Sequence, residues 1–121
     1  DTIVLEDGSK VRYIGVNTPE LHRNNKPLPD CYGQEAYVEN KRLVEGKSVK
    51  LIKDISEVDK YKRLLRYVYV DSIFVNDYLV KQGFAYASTF PPDVANQSLF
   101  RSSQKSAEAQ NLGLWNGCPQ K

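Results

Sequence analysis

Apolar positions along the chain fall into short runs of two different periods. Thr2–Leu5 is a brief apolar run closed by Glu6-Asp7-Gly8, and Lys10–Val16 then alternates apolar and polar residues. Asp-Gly between two β-prone runs predicts a hairpin. Gly15 loosens the chain, and Pro19, which cannot donate to a ladder, ends the second strand. His22–Gly33 is polar, holds Pro27 and Pro29, and reads as a loop. From Gln34 to Glu45 the period changes. Ala36, Tyr37, Leu43 and Val44 can share one broad face there, which predicts a helix closed by Gly46. Ser48–Ile52, Arg63–Val70 and Ile73–Val75 are three further strands, rich in Leu, Ile, Tyr and Val. Asn76 is expected to cap a short helix running through Gln82. Asp93, after Pro91-Pro92, is expected to cap a last one with Leu99, Phe100, Ser103 and Ala107 inside and Gly113 at its end. Ala85–Phe90 shows no decisive period.

Five short strands, with one helix inserted and others following, predict an α+β fold. The expected form is a five-stranded β-barrel of the oligonucleotide-binding (OB) type with about three helices. The 121 residues suit a single domain over 1–121. With 40% hydrophobic and 26% charged residues the chain can bury one core. No apolar stretch reaches the length of a membrane span, and none has the form of a signal h-region. The chain opens at Asp1 inside what reads as a strand, and any leader or anchor would lie upstream.

A formal charge of +2 does not by itself call for nucleic acid. Its distribution is more informative: Lys47, Lys50, Lys53, Lys60, Lys62, Arg63 and Arg66 are opposed only by Asp54, Glu57 and Asp59. A solvated face is the ordinary reading of such a run. A local positive field also attracts polyanions whatever the net charge. Two cysteines and one histidine cannot make a four-ligand zinc site. For Cys31 and Cys118 two readings stay open: a disulfide joining the loop to the C-terminal tail, which would suit an exported protein, or two unrelated thiols. His22, in a polar loop between Leu21 and Arg23, reads as a surface residue.

Several residues can carry chemistry. Asp1, Asn17, Thr18 and Glu20 bring together the oxygen donors that a hard cation takes, with Glu20 able to act as a general base. Asn-Thr-Pro-Glu is also an ordinary strand exit. Arg12 and Arg63 are planar guanidinium groups suited to bidentate phosphate contacts, and phosphoryl transfer needs charge stabilised on the equatorial oxygens. Taken singly, Arg12 reads first as half of a structural ion pair and Arg63 as an exposed strand-end charge. Tyr61, Tyr86 and Phe90 offer aromatic faces near basic residues, the means by which single strands are bound without sequence preference.

Taken in order, these pieces resemble the staphylococcal nuclease family. The similar segments are Asp1-Thr2, Arg12–Glu20, Tyr32–Ala36, Asp59–Arg63, Val75-Asn76, Leu79–Gly83 and Gly113–Trp115. Arg12–Glu20 is the most specific, then Asp59–Arg63. The resemblance implies an OB-type barrel and Ca²⁺-dependent hydrolysis of DNA and RNA at the P–O5′ bond, leaving 3′-phosphates. By the same resemblance Asp1 and the Thr18 carbonyl are calcium ligands, with Asn17 beside them, and Glu20 is the general base. Arg12 and Arg63 hold the scissile phosphate, while Lys60 and Tyr61 bind the substrate's other phosphate. Three departures stand out: Asn17 where the family usually has Asp, Lys62 where glycine is common, and no clear counterpart near Phe90 to the family's substrate-facing tyrosine. The expected protein is a secreted or cell-envelope monomer acting on nucleic acid, preferably single-stranded. The alternative is a catalytically silent nucleic-acid-binding module of the same fold. Silent copies generally lose several of the site residues, and Asp1, Arg12, Glu20 and Arg63 are all present.

Overall fold

A computed structural model describes residues 1–21 and 28–119. His22, expected at the surface, lies outside the described residues. Asp7 sets the first turn, its carboxylate accepting the Ser9 N–H at 2.8 Å. The chain doubles back there, so that β1 (Thr2–Val4) pairs antiparallel with β2 (Lys10–Tyr13), Thr2 opposite Arg12. β3 (Val16–Asn17) follows, then helix α1 (Gly33–Val44) and β4 (Lys50–Ile52). β5 (Leu64–Val70), β6 (Ile73–Phe74) and α2 (Val75–Lys81) come next, and β7 (Tyr86–Ala87), α3 (Gln97–Ala109) and the single-turn α4 (Leu114–Gly117) end the order.

β5 is the centre of the sheet. Its Tyr67, Val68 and Val70 are all buried, the near-continuous apolar reading expected of a strand covered on both faces. It runs parallel to β2 with Val11 beside Leu64, and antiparallel to β4 and β6. The result is a five-stranded mixed sheet in the order β1-β2-β5-β4, with β6 also on β5. A separate two-stranded sheet joins β3 to β7, Val16 opposite Ala87. Among the described residues these ladders leave the sheet open and do not form the closed ring of a barrel. The three expected helices are present, and α4 adds a fourth. Val11, Val16, Val68, Leu79 and Phe100 are completely buried in the core between sheet and helices.

The run Lys10–Val16, expected as one strand, is two. Gly15, at φ 78°, turns the chain away, and a Cβ there would stand 2.5 Å from the Phe100 ring, so only glycine permits both the bend and the packing of α3 over it. Two expected caps prove to be something else. Asn76 lies one residue inside α2 and is fully buried. Its amide oxygen accepts the Val68 N–H at 2.8 Å and its amide nitrogen donates to the Ile14 carbonyl at 2.9 Å. Asp93 stands upstream of α3, which begins after Asn96. Its carboxylate accepts the N–H groups of Ile55 at 2.9 Å and Ser56 at 2.7 Å. Asp54 makes the reciprocal tie, accepting the Tyr67 hydroxyl at 2.6 Å and the Ala95 N–H at 3.0 Å. Residues 54–56 and 93–95 are thereby fastened together.

Of the two readings of the cysteines, the disulfide is the one present. Cys31 and Cys118 are bonded, with Cα atoms 5.9 Å apart and a sequence separation of 87. Closing so long a loop stabilises the fold by up to about 4 kcal/mol in the chain-entropy account. Among the described residues no helix is long and apolar enough to cross a membrane.

Replacing Asn76 by alanine strands a buried N–H and a buried C=O at once. At roughly 1–3 kcal/mol for each orphaned group, Asn76→Ala should lower the unfolding free energy by about 3 kcal/mol. Urea denaturation at matched m-values measures it, and a loss below about 1 kcal/mol would show that water or backbone shift replaces the amide.

Candidate active site

β2, an inner strand between β1 and β5, holds Arg12 near its end, with its side chain 19% exposed. The neighbouring bend at Gly15 turns two carbonyls toward it: Nη1 donates to Tyr13 O at 2.6 Å and Val16 O at 2.8 Å. Nη2 stands 3.5 Å from Asp1 Oδ2. That same oxygen accepts the Thr18 N–H at 3.2 Å. Asp1 therefore touches both Arg12 and Thr18, although it stands 17 positions from the second. Thr18 is buried, Glu20 half-buried and Asn17 exposed on β3 beside them.

Arg63 enters from the turn before β5. Asp59 organises that turn, its Oδ1 accepting the N–H groups of Tyr61 and Arg63, both at 2.9 Å. Its Oδ2 accepts the Arg63 Nε–H at 2.7 Å, and Arg63 Nη1 donates to the Thr2 hydroxyl at 3.3 Å. Lys62 takes φ 65° in this turn, a left-handed conformation that accounts for the glycine the family usually has there. Tyr61 is two-thirds exposed. Its ring carries Lys60 Nζ 5.2 Å from the centroid and the Arg63 guanidinium at 5.4 Å, both within cation–π range.

Arg12, Arg63, Lys60, Tyr61 and Phe90 line one cleft of about 550 Å³. Asp1, Thr18 and Glu20 line an adjoining groove of about 860 Å³ between β1 and α1. The Arg12–Asp1 pair and the Arg63–Thr2 bond stand at the wall between the two. The structure thus gathers Asp1, Arg12, Thr18, Glu20, Lys60, Tyr61, Arg63 and Phe90 into two adjacent hollows, with Asn17 next to Thr18. Tyr86 is elsewhere: it pairs with Asn17 across β3–β7 and sets its ring edge-on to Trp115, 5.5 Å between centroids. Phe90, 70% exposed, stands on the wall of the cleft. The tie of Asp93 to 55–56 holds its loop, and no local signal marks such a contact. The basic run is partly paired off, since Arg66 and Lys53 both meet Glu57.

The electrostatics follow from this crowding. Arg12 is pushed below the ordinary arginine range, first by burial and then by the charge of Arg63, with Glu20 and Asp59 opposing. Among the described residues no three of His, Cys, Asp and Glu group in a way that could hold a metal. Asp1, the Asn17 amide and the Thr18 carbonyl fit a hard cation by donor type, but they bring one formal charge.

A positively charged cleft with exposed aromatic walls, beside an oxygen-lined groove, suits a polyanion that carries planar groups. The chain belongs to the staphylococcal nuclease family: the family described as staphylococcal nuclease homologue matches residues 10–117. The thermonuclease of Staphylococcus intermedius is 36% identical over 118 residues, spanning 95% of this chain and 70% of its own length. Endonuclease YncB of Bacillus subtilis (strain 168) is 38% identical over 120 residues, spanning 95% of this chain and 56% of its own. The SPbeta prophage-derived endonuclease YokF of the same organism is 36% identical over 107 residues, covering 87% of this chain and 36% of its own length.

Asp59 and Asp93 should set part of the acid sensitivity. Burial raises both carboxyls, but their N–H donors outweigh it and hold both below the ordinary aspartate range. Each therefore binds its proton more weakly folded than unfolded. Their stabilisation is complete above about pH 4, where the unfolded groups ionise, and is lost as pH falls through the lower folded values. In thermal melts from pH 7 to pH 3, Asp59→Asn should flatten this acid limb. An unchanged slope would remove Asp59 as a contributor.

Proposed function

We propose that the protein is a Ca²⁺-dependent phosphodiesterase that hydrolyses DNA and RNA at the P–O5′ bond and leaves 3′-phosphates. The observation that carries this reading is the convergence of Arg12 and Arg63 on one cleft, joined through Asp1 to Thr18 and Glu20, in a member of this family. The relatives named thermonuclease and endonuclease support a nuclease in general. The single core between sheet and helices supports reading residues 1–121 as one domain, and membership of the family supports the oligonucleotide-binding barrel. Exposed Tyr61 and Phe90 favour single-stranded substrate, whose bases are free to stack. The disulfide favours a secreted or cell-envelope protein. We take it to act as a monomer.

Arg12 gives both Nη1 protons to backbone carbonyls and pairs Nη2 with Asp1, which leaves Nε–H and the second Nη2 proton for phosphate. Arg63, anchored through Nε and Nη1, keeps Nη2. The two cations are in place before substrate arrives, so charge growing on the equatorial oxygens meets fixed donors. Glu20 takes the proton of the attacking water as the new P–O bond forms and the P–O5′ bond breaks. Calcium, held by Asp1, Asn17 and the Thr18 carbonyl, would supply Lewis-acid polarisation of the phosphate. Lys60 and Tyr61, on the far side of Arg63, hold the neighbouring phosphate.

Kinetics on a short single-stranded oligonucleotide test this assignment. A chelator should abolish cleavage, and Mg²⁺ should replace Ca²⁺ poorly because it demands tighter octahedral geometry. Glu20→Gln, Arg12→Ala and Arg63→Ala, each verified as folded, should lower kcat by about 10²–10⁴-fold. Lys60→Ala and Tyr61→Ala should chiefly raise KM, with a salt-dependent loss for the lysine. Wild-type turnover in all three variants would overturn the catalytic assignment, and no cleavage by the folded wild-type protein in calcium would leave the silent binding module as the reading.

Asn17→Asp should tighten calcium binding, since an added carboxylate restores charge facing the ion. Calorimetric titration of both forms compares them. Equal or weaker affinity in the aspartate form would remove residue 17 from the ligand set.

A further inference from the structure

The segment leading into α1 is fastened to Glu20 at three points. The Asp30 carboxylate accepts the Glu20 N–H at 3.0 Å, and the Asp30 N–H donates to the Glu20 carbonyl at 2.9 Å. Gly33 lies against that same carbonyl, where an added Cβ would stand 2.4 Å from the oxygen. Between Asp30 and Gly33 come Cys31, bridged to Cys118, and Tyr32, whose φ of 70° is left-handed. Bulky residues avoid that region. They stay in it only where their surroundings over-determine it. Here the Tyr32 ring packs on Phe84, 5.6 Å between centroids. It also rests on Gly117, where an added Cβ would come within 3.2 Å of the ring. Gly117 adjoins Cys118. The bridge therefore ties the strained residue to the surface that supports it.

We propose that the Cys31–Cys118 disulfide, acting through Asp30 and Tyr32-Gly33, positions Glu20, so that turnover depends on the redox state of this one bond. The proposal rests on the reading of Glu20 as general base. A dithiol reductant supplies two electrons and two protons. Its thiols close to a disulfide as Cys31 and Cys118 become thiols, and the chain has no other cysteine. Once cut loose, Gly117 can leave the Tyr32 ring, the left-handed turn relaxes, and Asp30 lets go of the Glu20 amide. A base that wanders off the attack line lowers turnover, whereas Arg12 and Arg63, on other elements, still hold the phosphate. Asp30 is thus a positioning residue that touches no substrate.

The test uses the full chain in oxidised form and after dithiothreitol, with circular dichroism to show that both are folded. Reduction should lower kcat on the oligonucleotide by about 10–100-fold with KM within about twofold. Glu20 amide exchange, read by NMR, should quicken. In the oxidised protein Asp30→Ala should reproduce the kcat loss, and Asp30→Asn, which keeps an acceptor oxygen, should restore most of it. If the reduced protein unfolds, the Asp30 pair in the oxidised form decides. Wild-type kcat in Asp30→Ala, or equal Glu20 exchange in folded oxidised and reduced protein, would overturn the proposal. If the oxidised wild-type protein cleaves nothing in calcium, the nuclease reading fails separately, and the exchange rates alone decide whether the bridge holds Glu20.

Discussion

One buried amide carries the junction on which the rest of the architecture depends. β2 runs beside β5 only as far as Tyr13 and Arg66, and Ile14 makes the final backbone bond, its N–H donating to Arg66 O at 3.0 Å. Beyond that point the strands part, and the Ile14 carbonyl and Val68 N–H would face apolar surroundings without partners. Asn76 satisfies both. An amide can do so because it carries a donor and an acceptor on one planar group. The parting of the strands lets Gly15 turn the chain into β3, which leaves Arg12 on one side of the bend and Thr18 and Glu20 on the other.

That bend also settles how Arg12 is held. The carbonyls of Tyr13 and Val16 flank it and both accept from Nη1, so the guanidinium is fixed by backbone and not by a flexible partner. The fixing has a cost, because Arg12 is desolvated and feels the charge of Arg63. Two like charges held together repel, and an anion placed between them relieves that repulsion. Asp1 provides part of that relief in the free protein.

Much of this was readable in the order of residues, and the exceptions have a common cause. The Asp7-Gly8 turn, the helix over α1 and the strand β5 follow from local chemistry and period, and they stand where expected. Asn76 and Asp93 look like helix caps because cap preference is a local property. Both are instead claimed by backbone groups distant in sequence, Val68 and Ile14 in one case, Ile55 and Ser56 in the other. β7 was illegible because two residues carry no period, and its partner β3 existed only after Gly15 had cut a longer strand. For the site, the resemblance over Arg12–Glu20 and Asp59–Arg63 named residues that the structure places around two adjacent hollows. Nothing in those segments tells that Arg12 leans on Asp1, or that Phe90 takes up a place in the cleft.

The fastening of residues 54–56 to 93–95 has a consequence for how such a protein can diversify. The guanidinium groups stand on or beside the sheet strands, whereas the Phe90 wall belongs to a loop whose hold on the body passes through Asp93 and Asp54. Insertions or exchanges between Thr89 and Pro92 can therefore reshape the mouth of the cleft while those anchors stay in place. On the proposed nuclease reading, the breadth of polymers admitted and the bond-breaking chemistry are separately heritable traits.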